Sequence, residues 1–343
     1  MSKLFKRAVL WMGLFIASIS LIVACNGQQA TTPSTPDAST SPTTSVTKPL
    51  VVGVPLWPGF GSQYVAHELN LFKDAGLDVK EVFFPVQSDS NTALLAGKVD
   101  LVLTGVPDLI TMATKDPSLR LIMLCDYSDG SDGILGRNIA KPEDLKGKSV
   151  AREELLIEIL LLRRYLEKGG LTENDIKVLS MPAADAATAF ASKQVDVAVT
   201  WEPYLSKAAK EGNGEIIFTT KDTNIIPDGF VTRASVIQER KADLETYLKT
   251  IDQAVTMINN RDEKAVAIIA KRLGVTPAEA IPQMDGVRYL GLQDNKAIAT
   301  DAKERNNMFD SLTFAAKTAK DIKLTPSLVD ATTLYDDSIV KEL

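Results

Sequence analysis

Apolar positions along the chain fall into short continuous runs separated by amphipathic stretches, an alternation that predicts α/β architecture. Residues 50–56, LVVGVPL, read as a strand. A turn punctuated by Pro and Gly follows at Trp57–Gly61, and 62–73, SQYVAHELNLFK, has helical spacing with Ser62 placed to cap. Residues 78–84 predict a second strand, 90–96 a helix and 119–125 another apolar strand. Further on, 149–152 read as a strand, Glu153 opens a helix closed by Gly169 and Gly170, and 176–180 read as a strand again. Residues 215–220 and 228–233 are expected to carry strands back towards the start of the fold. From 240 the pattern is helical, with Thr276-Pro277 opening a later helix.

One segment occurs twice. TAFASKQVDVAVTWEPYL at 188–205 repeats TALLAGKVDLVLTGVPDL at 92–109, matching Thr188 to Thr92, Val195 to Val99, Asp196 to Asp100, Thr200 to Thr104 and Pro203 to Pro107. Each copy reads as a short helix, a turn, an Asp, an apolar strand and a polar turn that opens another helix. Apolar runs such as LVL and VAV suit a parallel sheet covered on both faces. Ligands of such sheets bind beyond the carboxyl ends of the strands. Here those ends are 105–108, GVPD, and 201–204, WEPY. Two similar α/β halves, each aiming a strand end at a cleft, describe a two-lobed binding protein.

The length of 343 residues accommodates two lobes, and the composition is ordinary for a globular protein. A formal charge of −6 disfavours nucleic acid and anionic membrane surfaces as partners. Two cysteines and one histidine leave little for a Cys/His metal site or for acid–base catalysis, so no metal, cofactor or catalytic group is expected. His67 lies in a helical stretch and reads as a solvated or packed side chain.

Residues 1–24 have a basic start and an apolar run of secretory length. LIVAC at 21–25 resembles a bacterial lipobox, which implies cleavage before Cys25 and lipidation there. The stretch 25–48, dominated by Ser, Thr and Pro, reads as a flexible tether that cannot build a core. Cys125 then has no partner and is expected as a buried core thiol.

Four further segments carry a family resemblance: DYSDGSDGI at 126–134, KPEDLKGKSVA at 141–151, MPAADAATAF at 181–190 and VDVAVTWEPYLSKA at 195–208. With the lipobox, their order and spacing make residues 49 to about 320 resemble the nitrate/taurine/aliphatic-sulfonate-type substrate-binding proteins of ABC importers. The resemblance implies a two-lobed type II periplasmic-binding fold, each lobe a mainly parallel sheet flanked by helices, with a hinged cleft. It also implies delivery to a permease with ATPase subunits, an extracytoplasmic location and no catalysis; a monomer is expected. The resulting division is 1–24 leader, 25–48 tether, 49–140 first lobe, 141–230 second lobe and 231–343 a return to the first lobe with C-terminal helices. The polar stretch 138–148 reads as the crossing between lobes.

The chain departs from the family at one point. Members place Gly-Thr and then Ser or His at the start of the second lobe's first helix, where free N–H groups suit an anion. This chain has EELLIEI at 153–159 instead. Glu153 and Glu154, with Glu158 behind them, join Asp126, Asp132 and Glu202 in a strongly acidic candidate cleft, while Asp129 reads as a solvated turn residue. Asp126 and Asp132 are expected to supply the first lobe's charge, and Glu153, Glu154 and Glu202 the second's. Arg152 is the one basic residue within the strand-end motifs. Trp201 beside Glu202, with Trp57 from the other lobe, suits a flat cation held by an aromatic face and a carboxylate. The expected ligand is therefore a small nitrogen-rich cation such as guanidinium. An oxyanion ligand is the alternative; a sensor module, or an enzyme resembling the pyrimidine-precursor synthases, is a more remote one.

Overall fold

The computed structural model describes residues 48–343 apart from Asp222 and Asn224. The expected leader, nearly all of the tether and the expected lipidation at Cys25 lie outside the described residues. Among the described residues, eleven strands build two sheets. They are β1 (Leu50–Pro55), β2 (Val79–Phe84), β3 (Leu101–Gly105), β4 (Leu119–Ser128), β5 (Asp132–Gly136), β6 (Ser149–Arg152), β7 (Lys177–Ser180), β8 (Val197–Trp201), β9 (Glu215–Thr219), β10 (Pro227–Arg233) and β11 (Val287–Tyr289). The first sheet has the order β11-β4-β10-β3-β1-β2 and the second β7-β6-β8-β5-β9.

The two sheets share a plan. In the first, β1 runs parallel to β2 and β3, and β10 is inserted antiparallel between β3 and β4. In the second, β6 runs parallel to β7 and β8, and β5 is inserted antiparallel between β8 and β9. The duplicated segment supplies β3 in one sheet and β8 in the other. Its Asp has the same task in both copies. Asp100 Oδ2 accepts from Val51 N at 2.9 Å, and Asp196 Oδ2 accepts from Ser149 N at 2.8 Å. Each carboxylate thus pins the start of the parallel neighbour and fixes register where a one-residue slip would turn every side chain to the wrong face. Both strands are buried along their whole length, as continuous apolar strands under helices on both faces must be.

The C-terminal helices cover the first sheet. Leu244, Tyr247, Leu248 and Ile251 of helix Lys241–Asn259 share a core with Leu50, Val52 and Phe72. Leu312, Ala315 and Ala316 of helix Ala302–Asp321 pack with Leu109 and Leu119. Local chemistry starts and stops these helices. Asp262 accepts from Lys264 N and Ala265 N, Thr276 and Glu279 form a capping box, and Gly274 leaves helix Glu263–Leu273 with a φ of 72°.

The crossings between lobes differ from the sequence expectation. Residues 138–148 lie wholly beyond β5, which already belongs to the second sheet. The chain leaves the first sheet between Ser128 and Asp132, and it returns between Thr219 and Pro227, so β9 stays in the second sheet. The expected lobe boundaries at 140 and 230 shift accordingly. Asp-Gly-Ser-Asp-Gly at 129–133 carries turn chemistry, and that signal hid the five-residue strand starting inside it. The two crossings are tied together: Ser128 Oγ and Thr220 Oγ1 lie 2.7 Å apart, Ser128 N donates to Ile226 O and Gly130 N donates to Thr220 Oγ1. Gly130 adopts a φ of 128°, which an L side chain rarely takes.

Candidate functional site

Where the strand ends of the two sheets meet, Trp57, Phe60, Gln87, Ile226 and Asp228 face Asp132, Ile157 and Trp201 around a cavity of ≈ 10 Å³. The two tryptophans come from the expected positions. Trp57 ends the turn after β1, and its indole Nε1 donates to Asp126 Oδ1 at 3.3 Å. Tyr64 accepts from Trp57 N at 3.1 Å, and Tyr289 donates to Pro58 O at 2.8 Å, so the turn is held from both sides. A β-carbon on Gly59 would overlap both the Trp57 indole and the Asp126 carboxyl, which explains a glycine there without any special φ. Trp201, at the end of β8, reaches across the cleft and donates to Leu56 O at 3.1 Å.

The acids divide into groups that the sequence did not separate. Asp126 is fully buried on β4; Asp132 begins β5 and pairs across from Trp201, so it belongs to the second sheet and not to the first lobe's charge. Glu153 is buried and joins the lobes, accepting from Ser88 N at 3.1 Å and from Ala183 N at 3.3 Å. Glu154 turns away: its side chain is 53% exposed and pairs with Arg152 at 3.0 Å. Glu202 is folded back on its own helix, accepting from Ser206 N at 3.2 Å and from the Ser206 hydroxyl. Glu158 accepts from Glu153 N, and Asp129 is exposed. Arg152, although buried, spends its guanidinium on Glu154, Glu173 and the Glu153 carbonyl, outside the cavity lining. His67 is an exposed helix residue and Cys125 a buried free thiol, as their sequence contexts imply.

Two acids were missed. Asp228, on β10, lies opposite Asp126 in register. Asp108 follows Pro107 at the start of helix Val106–Ala113 and caps a helix of the other lobe: its Oδ1 accepts from Leu156 N at 2.5 Å, at the first turn of helix Leu156–Lys168. A side-chain carboxylate of the first lobe thus occupies the helix end where a free anion would find N–H groups and a favourable dipole. Asp108 lies inside the duplicated segment, at a strand end, which was its only sequence signal. Asp228 had none, because its partner is created by strand pairing.

Burial dominates the electrostatics. It pushes the Asp126 carboxyl up to about 6 and those of Asp108 and Asp132 up to about 7. Asp228 and Glu158 are also pushed well up, each by burial first and then by neighbouring acids. Glu202 is also raised by burial, against the pull of its Ser206 hydrogen bonds. Asp132 Oδ2 and Asp228 Oδ2 are buried with no hydrogen-bond partner. Among the described residues no Cys/His/Asp/Glu cluster is arranged to hold a metal ion, and no helix is long and apolar enough to cross a membrane.

Two sheets of one plan, crossed twice by the chain and enclosing a cavity lined by aromatic, aliphatic and acidic side chains, define a two-lobed protein of the periplasmic-binding fold. The chain belongs to the NMT1/THI5-like family, whose model matches residues 57–265. A protein of Brucella abortus (strain 2308), provisionally named a binding protein, is 27% identical over 241 residues, 67% of this chain and 75% of its own length. A protein of Escherichia coli K12, provisionally named aliphatic sulfonates-binding, is 27% identical over 212 residues, 58% of this chain and 63% of its own. The solved alkanesulfonate-binding protein of Xanthomonas axonopodis pv. citri, bound to MOPS, superposes with a TM-score of 0.72 at 20% identity, covering 85% of this chain and 99% of that one. The resemblance to substrate-binding proteins of ABC importers drawn from the sequence is borne out by these matches.

Proposed function

We propose that the protein is the extracytoplasmic substrate-binding component of an ABC importer and that its ligand is a small cation rich in N–H donors, guanidinium being the simplest. One observation carries the choice of ligand. Asp132 Oδ2 and Asp228 Oδ2, both buried and unpartnered, belong to residues lining a cavity between Trp57 and Trp201, and that lining includes no Lys or Arg. Uncompensated buried carboxylates are costly, and a guanidinium answers them with forked donors and a planar face for the indoles. Gln87, whose Nε2 donates to Thr104 Oγ1 at 2.9 Å, leaves its amide oxygen as a further acceptor for such donors. The cavity is no larger than a water needs, so the lobes must part for the ligand to enter. The importer role rests on the family and on the relatives. Lipid attachment at Cys25 and partnership with a permease and its ATPase subunits go with the same reading.

A second reading is an oxyanion, such as nitrate, taurine or an aliphatic sulfonate. The names of the relatives favour it over the cation, since two of those described above are named for sulfonates. Against it stand the acids of this cleft and Asp108 on the helix end that would serve an anion. Calorimetry on the soluble body with guanidinium, methylammonium, nitrate, taurine and methanesulfonate tests both. Micromolar or tighter binding of guanidinium or an amine is the expected result. Tight binding of nitrate or a sulfonate, with no cation bound, would replace the first reading with the second.

A further inference from the structure

We propose that in the ligand-free protein Asp126 and Asp228 share one proton, and that the bound cation takes its place, so that capture of the ligand and release of a proton to solvent are a single event. The proposal rests on the reading of the ligand as a cation and adds to it how the cleft stays neutral when empty.

The two residues face each other across the antiparallel pairing of β4 and β10, where Asp228 is in register with Asp126. Directly opposed residues of an antiparallel pair stand on one face of the sheet with Cβ atoms about 4.5–5.5 Å apart, which brings the two carboxyl groups within reach of each other. An ionised carboxylate only accepts hydrogen bonds, so a bond between two carboxyl groups requires a proton on one of them. The surrounding donors decide which. Trp57 Nε1 donates to Asp126 Oδ1 at 3.3 Å and Cys125 Sγ donates to Asp126 Oδ2 at 3.2 Å. Asp126 is therefore the charged acceptor, and Asp228, whose buried Oδ2 has no donor, is the protonated partner. The upward displacement of both groups by burial agrees with a proton held at the pair.

Among the described residues, the titratable groups named as neighbours of the pair are acids. Cys125 adjoins it on β4, Asp132 approaches from β5, Asp108 from the start of helix Val106–Ala113 and Tyr289 from β11; Glu202 stands behind Asp132. Among the described residues no Lys or Arg forms an ion pair with Asp126 or Asp228, and two neighbouring buried carboxyls do not both ionise unaided. Acids alone would not define a site. Here Asp132 Oδ2 and Asp228 Oδ2 are unpartnered, each residue is only 4% exposed, and both line the cavity. A cationic N–H group arriving at Asp228 donates to the oxygen that has no partner and supplies the charge that lets the carboxyl ionise. The balance is one proton out for one positive charge in, with no bond to carbon made or broken.

Titration calorimetry of the wild-type soluble body with guanidinium near neutral pH, run in phosphate and in Tris, reads the released proton directly. The expected result is a heat that differs between the buffers by about one proton's ionisation, and an affinity that rises about tenfold per pH unit while the pair remains protonated. Asp228→Asn mimics the protonated partner; it should lower the proton release by about one relative to wild type and weaken guanidinium binding at least about tenfold. Infrared spectroscopy provides a second reading: the carboxylic-acid carbonyl band of the ligand-free protein at neutral pH should contain a component that is lost when guanidinium is added and is absent from Asp228→Asn. Guanidinium binding with buffer-independent heat would overturn the shared proton and leave the cation reading standing. So would a carboxylic-acid band that is the same in wild type and Asp228→Asn and unchanged by guanidinium. Failure of every cation, with nitrate or methanesulfonate bound instead, would overturn both.

Discussion

At the scale of single residues, the protein concentrates its buried acids in one place, and that has a signed consequence for stability. Asp126 titrates at about 6 and Asp108 and Asp132 at about 7, against an ordinary 3.8. Between those values the folded chain holds protons that the unfolded chain has released. The stability that these groups contribute is complete below the ordinary value and is lost as pH rises from about 4 through about 7, with a slope of up to ~1.4 kcal/mol per pH unit for each group. Asp116 and Asp196, whose carboxyls are held low by Ser118 and Ser149, act in the opposite sense but below that window. Urea midpoints of the ligand-free body should therefore fall from pH 4.5 to pH 7.5, and Asp132→Asn should flatten the decline. A midpoint that rises steadily over that range would contradict it. The same geometry grades the ligand contacts. Trp201→Ala should weaken binding by roughly 0.5–2 kcal/mol, as expected for a lost cation–π face, read by calorimetry. Glu202→Gln should cost less than a cavity-lining Asp would, because Glu202 is already engaged by Ser206.

At the scale of elements, closure depends on how nearly β3 and helix Leu156–Lys168 approach each other. A β-carbon on Gly105 would lie 2.5 Å from Ile157 Cγ2, a methyl on a stiff β-branched side chain of the other lobe. Gly105→Ala should thus hold the lobes apart and weaken ligand binding by tenfold or more, on the scale of about 1–3 kcal/mol for overpacking. Adding Ile157→Ala removes that methyl and should restore much of the affinity. If Gly105→Ala binds as wild type, the two elements do not meet in the liganded state. Asp108 works at the same junction. Asp108→Ala removes an interlobe helix cap, a loss of about 1 kcal/mol, and should shift the protein towards open forms in small-angle scattering.

At the scale of the whole molecule, two short crossings tied by the Ser128 and Thr220 hydroxyls let the lobes move as bodies while the cavity between them opens and shuts. Scattering should report a larger radius for some part of the ligand-free population and a single compact form at saturating ligand; identical curves with and without ligand would remove the hinge. How much of this was legible in the sequence follows from the range of the interactions concerned. The apolar runs, the helical stretches and the duplicated segment are local patterns, and they determined the α/β class, the two similar halves and the place of Trp57 and Trp201 at strand ends, because periodicity and turn chemistry act over a few residues. The family motifs were legible for the same reason. The tertiary structure alone decided that β5 crosses into the second sheet, since the turn signals of 129–133 outweighed a strand of five residues. It alone turned Glu154 towards Arg152 and Glu202 towards Ser206. It alone set Asp228 against Asp126 and Asp108 on Leu156, pairs that are 102 and 48 residues apart along the chain. Such pairs are made by strand register and lobe closure, and a carboxylate in a sequence carries no mark of which backbone N–H, which hydroxyl or which other acid the fold will bring to it.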